Sequence, residues 1–129
     1  MSGYKLGGGS SIRLRGVHAD LVKITHRAIE VSDIDFSVTE GLRTKERQKM
    51  LVATGKSKTL NSRHLTGHAV DLAAIVNGKI NWEWGYYEQI ANAMKKAAKE
   101  LDIPIEWGGD WEAFKDGVHF QLTFKAYPA

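Results

Sequence analysis

Residues 62–72 read SRHLTGHAVDL, with His64, His68 and Asp71 inside eight positions and Gly67 between the two histidines. On one helix these three side chains would share a face, because residues three and four apart are neighbours there. Two features oppose a helix. Gly67 interrupts it, and β-branched Val70 opens a stretch with the character of a strand. A loop entering a strand fits better, with His64 in the loop, Asp71 early in the strand, and His68 able to point either way. The fold turns on this choice.

Downstream, AVDLAAIVNGKINW reads as a hairpin. Asn77-Gly78 is a strong two-residue turn signal because both positions need positive φ. The first strand of the hairpin is expected over about 69–76. A long helix follows at about 84–101, with Tyr86, Ile90, Met94, Ala97 and Leu101 on one face, and Pro104 prevents its continuation. IEW is a short strand, GGDWEAFKDG a loop, and VHFQLTF an alternating final strand. Upstream, Val17, Leu21, Ile24, Ala28 and Val31 mark a helix over about 17–31. Ile34, Phe36 and Val38 alternate in a strand ending near Glu40. Thr44 can cap a helix over about 45–54, with Gly55 as its stop. Helices and strands mix without a βαβ rhythm, so the expected class is α+β: a small, mostly antiparallel sheet packed with helices. GGGSS at 7–11 suggests that residues 1–11 are a flexible arm. Residues 12–129 then form a single domain.

The chain has 129 residues, 43% hydrophobic and 26% charged, which suits one globular unit with a workable core. It has no cysteine, so disulfides, thiolate metal sites and thiol nucleophiles are excluded. The net charge of +3 suits an anionic partner. No basic stripe with interleaved aromatics supports nucleic-acid binding. No apolar run is long enough to insert stably in a membrane. The N-terminus lacks the apolar core of a secretory signal, so synthesis in a cytoplasm without Sec-type export is expected.

Without cysteine, any metal must be held by His, Asp or Glu. HExxH metalloenzymes are excluded, because Leu65 stands where their glutamate would be. A hydrolytic zinc site needs about three protein ligands and one open position for water. His64 and Asp71 supply two. Of the five histidines, His18 and His26 fall in the first helix, where surface or capping roles suit them. His119 begins the last strand, with Asp116 three residues before it, well placed to take a proton from a bound water. One reading is therefore His64, Asp71 and His119 as ligands and Asp116 as base. The other is ordinary loop histidines and an Asp-Gly turn in KDGVH. Spacing alone leaves both open.

The string Ser62-x-His64-x-x-Gly67-x-Ala69-x-Asp71, then Asp116-x-x-His119 about 45 residues later, matches SxHxxGxAxD followed by (D/E)xxH. It resembles the VanY-like D-Ala-D-Ala carboxypeptidase family of zinc peptidases. GVHADLVKITHRAIE, TEGLRTKERQ and WGGDWEAFKDGVHFQL look further like the small phage endolysins of the L-alanyl-D-glutamate peptidase type, over about residues 12–125. The resemblance implies a hedgehog/D-Ala-D-Ala peptidase-like fold. It implies Zn²⁺ on His64, Asp71 and His119, Asp116 as base, and no ligand role for His68. It also implies that Arg43 reaches the active site and contacts substrate, where the residues alone allow a surface arginine. Ser62 belongs to the motif and is expected to bind substrate backbone or to cap the loop. Trp107, Trp111 and Phe114 are candidates for the cleft wall, Trp107 for substrate contact. Glu40 and Asp110 are candidates for outer support of the site. Gly67 and Ala69 are expected to let the backbone pass close to the metal.

The activity so implied is cleavage of the L-Ala–D-Glu bond of bacterial peptidoglycan by a phage endolysin. Such an enzyme is made in the host cytoplasm and reaches the wall after a separate membrane-permeabilising protein acts; a monomer is the default. The alternatives are a D-Ala-D-Ala carboxypeptidase or dipeptidase using the same site, and a non-catalytic zinc-binding module, against which the intact Asp116 counts.

Overall fold

A computed structural model describes residues 4–57, 59–113 and 115–128. The elements run α1 (Gly8–Arg13), α2 (Ala19–Val31), β1 (Asp35–Glu40), α3 (Lys45–Ala53), a 3-10 turn (Arg63–Thr66), β2 (Ala69–Val76), β3 (Lys79–Asn81), α4 (Trp84–Leu101), β4 (Ile105–Trp107), a second 3-10 turn (Gly108–Asp110) and β5 (His119–Leu122). The sheet has the order β1-β2-β5-β4, with β3 also on β2, and each pair is antiparallel. The α+β class is as expected.

The alternation of β2 and β5 sorts their side chains onto two faces. Val70, Leu72 and Ala74 join Phe120 and Leu122 in a core closed by Leu21, Ile24 and Ala28 of α2 and Ile90, Met94 and Ala97 of α4. Asp71, His119 and Gln121 lie on the opposite face. Asn77 and Gly78 adopt φ of 53° and 78°, as the hairpin turn demands. The Thr44 hydroxyl accepts from Arg47 N and starts α3.

Four expectations need correction. The flexible arm is a helix from Gly8 onward, although residues 1–3 lie outside the described residues. Ser10 is buried there, and its hydroxyl accepts from Val38 N at 2.8 Å, while Arg13 Nη1 donates to Val38 O at 3.4 Å. Contacts made by these two side chains, invisible in a Gly/Ser composition, order the segment. On α4 the buried aromatic is Tyr87, not Tyr86, and Leu101 is exposed. The Tyr87 hydroxyl accepts from Ala74 N and donates to Asn81 O, which anchors that face to the hairpin. The last strand stops at Leu122, short of the expected LTF, because residues 124–127 turn back. His64 sits in a 3-10 turn rather than an open loop.

Candidate active site

Glu40, Asp71 and His119 form one row across three strands, Asp71 opposite Glu40 on β1 and opposite His119 on β5. Glu40 reaches this row through a register irregularity. Phe36 and Val38 face the core, so a regular strand would send Glu40 there too. The shift between Val38 and Glu40 sets Glu40 against Asp71 instead.

The 3-10 turn brings His64 to the row. Ser62 Oγ caps it by accepting from His64 N at 3.2 Å. Gly67 ends it in the left-handed conformation, φ 75°. A Cβ on Gly67 would lie 2.4 Å from Gly16 O, and Gly67 O accepts from His18 N at 2.8 Å. The motif glycine thus seats the turn on the segment before α2, where a metal-side role was expected.

Hydrogen bonds fix both imidazole tautomers. His64 Nδ1 lies 2.8 Å from Gly41 O, which can only accept, so Nδ1 carries the proton and Nε2 is a lone pair 3.1 Å from Asp71 Oδ1. His119 Nε2 lies 2.8 Å from Gln121 Oε1. Gln121 Nε2 donates to Glu106 at 3.4 Å, which orients the amide so that its oxygen accepts from His119. His119 Nδ1 then turns to Asp71 Oδ1 at 3.2 Å. One ligand atom from each of His64, Asp71 and His119 lies within 4.8 Å of the others. Two outward-anchored imidazoles and a carboxylate converging on one point fit a divalent cation. Burial alone would raise the Asp71 carboxyl, but in the metal-free site a proton on the facing nitrogen of His119 or His64 turns that imidazole into a cationic donor to Asp71, which outweighs burial and holds the carboxyl far below the usual carboxylate range. Burial likewise opposes the charge on His119, and the bond and charge of Asp71 raise it overall.

Arg43 is no surface cation: its side chain is 8% exposed. Its Nε and Nη2 form a fork on Glu40, both bonds 2.9 Å, and Nη1 donates to Gln48 at 2.8 Å. This aims Nη2 at Asp71 Oδ2, 3.6 Å away. Glu40 supports the site through Arg43. Asp110 does not support it, being tied at the surface to Lys95 at 2.7 Å.

These groups open on a cavity of about 700 Å³ whose wall includes Arg43, His64, Asp71, Trp111, Asp116 and His119. Asp116 is held by its backbone: its N–H donates to Gly108 O and its carbonyl accepts from His119 N, both at 3.1 Å. A Cβ on Gly108 would come 2.3 Å from Asp116 O, so only glycine permits this approach. Burial, then the charge of Asp71, push the Asp116 carboxyl up. Trp111 is on the wall, its ring 5.3 Å from that of His119. Trp107 is not. It is buried between Trp84 and Phe120, and its indole N–H donates to Gly117 O at 2.8 Å. The expected substrate contact is therefore corrected to support of the Asp116 loop. Phe114 lies outside the described residues. Ser62 is on the cavity wall. His68 turns away, with Nδ1 2.6 Å from Thr66 Oγ1 and its ring beside His18.

Sequence reasoning missed Gly41, Gln48, Gln121 and the buried Arg63. Only Gln121 carried a usable signal, two residues after His119 and so on the same face of the strand.

The profile of the phage L-alanyl-D-glutamate peptidase family matches residues 1–122. The chain belongs to this family. The peptidase is 36% identical over 117 residues to the L-alanyl-D-glutamate peptidase of Escherichia phage T5, covering 88% of the chain and 85% of that relative. It superposes on the crystal structure of the L-Ala D-Glu endopeptidase ChiX of Serratia marcescens with a TM-score of 0.93 and 53% identity, over 98% and 96% of the two chains. The vancomycin-resistance D,D-dipeptidase VanXYg shares the fold, with a TM-score of 0.54 and 17% identity over 82% of the peptidase and 50% of that chain.

Proposed function

We infer that this peptidase hydrolyses the L-Ala–D-Glu bond of peptidoglycan stem peptides with Zn²⁺ held by His64 Nε2, Asp71 and His119 Nδ1. The observation that carries this reading is the convergence of those three atoms on one side of a cavity that also presents Asp116. Zinc bound there supplies a Lewis acid that polarises the scissile carbonyl and lowers the pKa of a water from 15.7 to about 7. Asp116 accepts the proton of the attacking water and returns it to the leaving D-Glu nitrogen. A raised carboxyl suits the first half of this shuttle, since a more basic carboxylate takes the proton of the attacking water more readily. Arg43, locked by Glu40 and Gln48, directs its remaining N–H groups toward the carbonyl oxygen as negative charge develops. Ser62 Oγ accepts from His64 N, which leaves its own hydrogen for substrate backbone.

Residues 12–129, together with α1, act as one catalytic unit. A phage source for a relative of the same activity fits a role as an endolysin in host lysis, with a monomer as the default. Among the described residues, no helix is long and apolar enough to cross a membrane. As an endolysin it would be made in the host cytoplasm and reach the wall through a separate membrane-permeabilising protein.

The test is a digest of Gram-negative peptidoglycan with zinc-loaded protein, chelated protein and Asp116→Ala, read by mass spectrometry. New amino termini on D-Glu, absent after chelation and in the variant, are expected. Release of free D-Ala would assign the site to carboxypeptidase chemistry instead.

A further inference from the structure

Arg63 stands next to His64 and is 5% exposed, among the most buried charged residues in the structure. Its Nη2 is well used, donating to Leu122 O at 2.8 Å and Tyr127 O at 2.9 Å. Its Nε and Nη1 are buried and have no hydrogen-bond partner among the described residues. Among the described residues no carboxylate lies within ion-pair distance of it either, whereas Arg27, Arg43 and Arg47 each hold a glutamate. Glu106 acts on its charge from beyond that distance, and the Glu106 carboxylate is engaged by Gln121 Nε2. A buried guanidinium without a counter-charge is costly. With Nη2 committed to two carbonyls, the free Nε and Nη1 each offer a single charge-assisted bond to an anion.

Arg63 lines the catalytic cavity together with Phe124. The Phe124 ring lies over the guanidinium, 4.0 Å from Cζ to centroid, yet is itself 55% exposed. A ring this exposed can rotate without disturbing the core.

We propose that Arg63 is a carboxylate-binding subsite that selects the free α-carboxylate of D-Glu, with Phe124 as its movable cover. The inference rests on the L-Ala–D-Glu cleavage proposed above. In a stem peptide D-Glu continues through its γ-carboxyl, so its α-carboxylate is left free on the carbon bonded to the scissile nitrogen. The carboxylate carbon is therefore two bonds from the scissile nitrogen, and a group binding it acts beside the reaction. The chemistry also sets the specificity: stem peptides in which this carboxylate is amidated offer a neutral group and lose the charge-assisted pair.

Two synthetic substrates decide it, N-acetylmuramoyl-L-Ala-γ-D-Glu-meso-diaminopimelate and the same peptide with D-isoglutamine at the second position. The wild-type enzyme should cleave the acid with kcat/KM roughly 10- to 100-fold above the amide, the range for one charge-assisted bond. Arg63→Gln should bring the two rates to within about twofold by slowing the acid alone. Arg63→Lys should retain part of the preference, and Phe124→Ala should keep all of it. Zinc content and melting temperature are measured on each variant. Equal cleavage of both substrates by wild type overturns the proposal, even if Arg63→Gln does not fold. So does an Arg63→Gln enzyme that slows equally on both, which would mark Arg63 as a clamp for the C-terminal turn only. Failure of wild type on both substrates, with release of D-Ala from a pentapeptide, would instead refute the cleavage reading beneath it.

Discussion

Asp71 and His119 stand directly opposite one another on neighbouring antiparallel strands, with His119 Nδ1 3.2 Å from Asp71 Oδ1. Two of the three proposed metal-binding groups are therefore fixed relative to each other by backbone pairing, and only His64 depends on a turn. Asp71→Asn should leave the apoprotein folded, by circular dichroism, while its zinc content falls from about one per chain to near zero. Retention of stoichiometric zinc in that variant would refute the assigned donor set.

Gln121 anchors His119 from behind. Gln121→Leu removes the acceptor that holds Nε2–H and frees the ring to rotate. Zinc affinity should weaken about 10- to 100-fold, the usual cost of losing such an outer partner, as read by competition with a chromogenic chelator. Unchanged affinity would mean that the strand alone positions the ring.

Trp107→Phe keeps a buried ring but deletes the indole donor to Gly117 O. The lost bond is worth about 1 kcal/mol in stability, and the carbonyl left behind adds to it. The larger effect is expected in catalysis, because Gly117 follows Asp116. kcat should fall severalfold while zinc content and KM stay near wild type. A change in KM alone would return Trp107 to substrate contact.

Acid should destabilise the chelated protein in a defined direction. Burial would raise the Glu40 carboxyl, but the hydrogen bonds and charges of Arg43 and Arg47 hold it below its ordinary value of 4.5. A carboxyl depressed in the folded state adds stability that is complete above the unfolded value and is lost as pH falls through the folded one. Asp71 acts in the same direction. The melting temperature should therefore drop as pH is lowered below about 4.5, and Glu40→Gln should flatten that slope. A melting temperature independent of pH there would show that the fork on Arg43 contributes nothing.

Gly67→Ala tests the motif glycine. It must hold φ 75° and place a methyl 2.4 Å from Gly16 O. Left-handed strain in a non-glycine residue costs about 1–3 kcal/mol, and the clash with backbone adds to it. A clearly lower melting temperature is expected, with weaker zinc binding as His64 shifts. A variant as stable as wild type would refute the close packing of this turn.

The features legible in the sequence were those written locally. Asn77-Gly78 announced its own turn and Thr44 its cap, while the spacing of His64, Asp71, Asp116 and His119 offered a metal site as one of two readings and the longer motif of the resembling family favoured it. Features set by packing between distant segments were not legible. Ser10 looks like linker until Val38 is brought beside it. Tyr86 and Tyr87 are adjacent candidates for one helix face, and only the hydroxyl's fit to Ala74 and Asn81 chooses between them. Trp107 looks like any cleft aromatic until Gly117 takes its N–H. Glu40 reaches the site only through an irregular register that no alternation pattern encodes.

The short helix α1 has a consequence for how the enzyme is handled. β1 is a border strand, paired on one side only with β2. On its free side Ser10 and Arg13 occupy the amide and carbonyl of Val38, in place of another strand. Arg13 O also packs so tightly on Gly41 that a Cβ there would sit 2.1 Å away, and Gly41 O is the acceptor that sets the proton on His64. Trimming the first thirteen residues as dispensable leader would bare a sticky sheet margin, open to pairing with a second molecule. The same cut would loosen the backstop of His64, a proposed zinc ligand about fifty residues downstream. Aggregation and lost activity would then share one origin, at the end of the chain that looks least important.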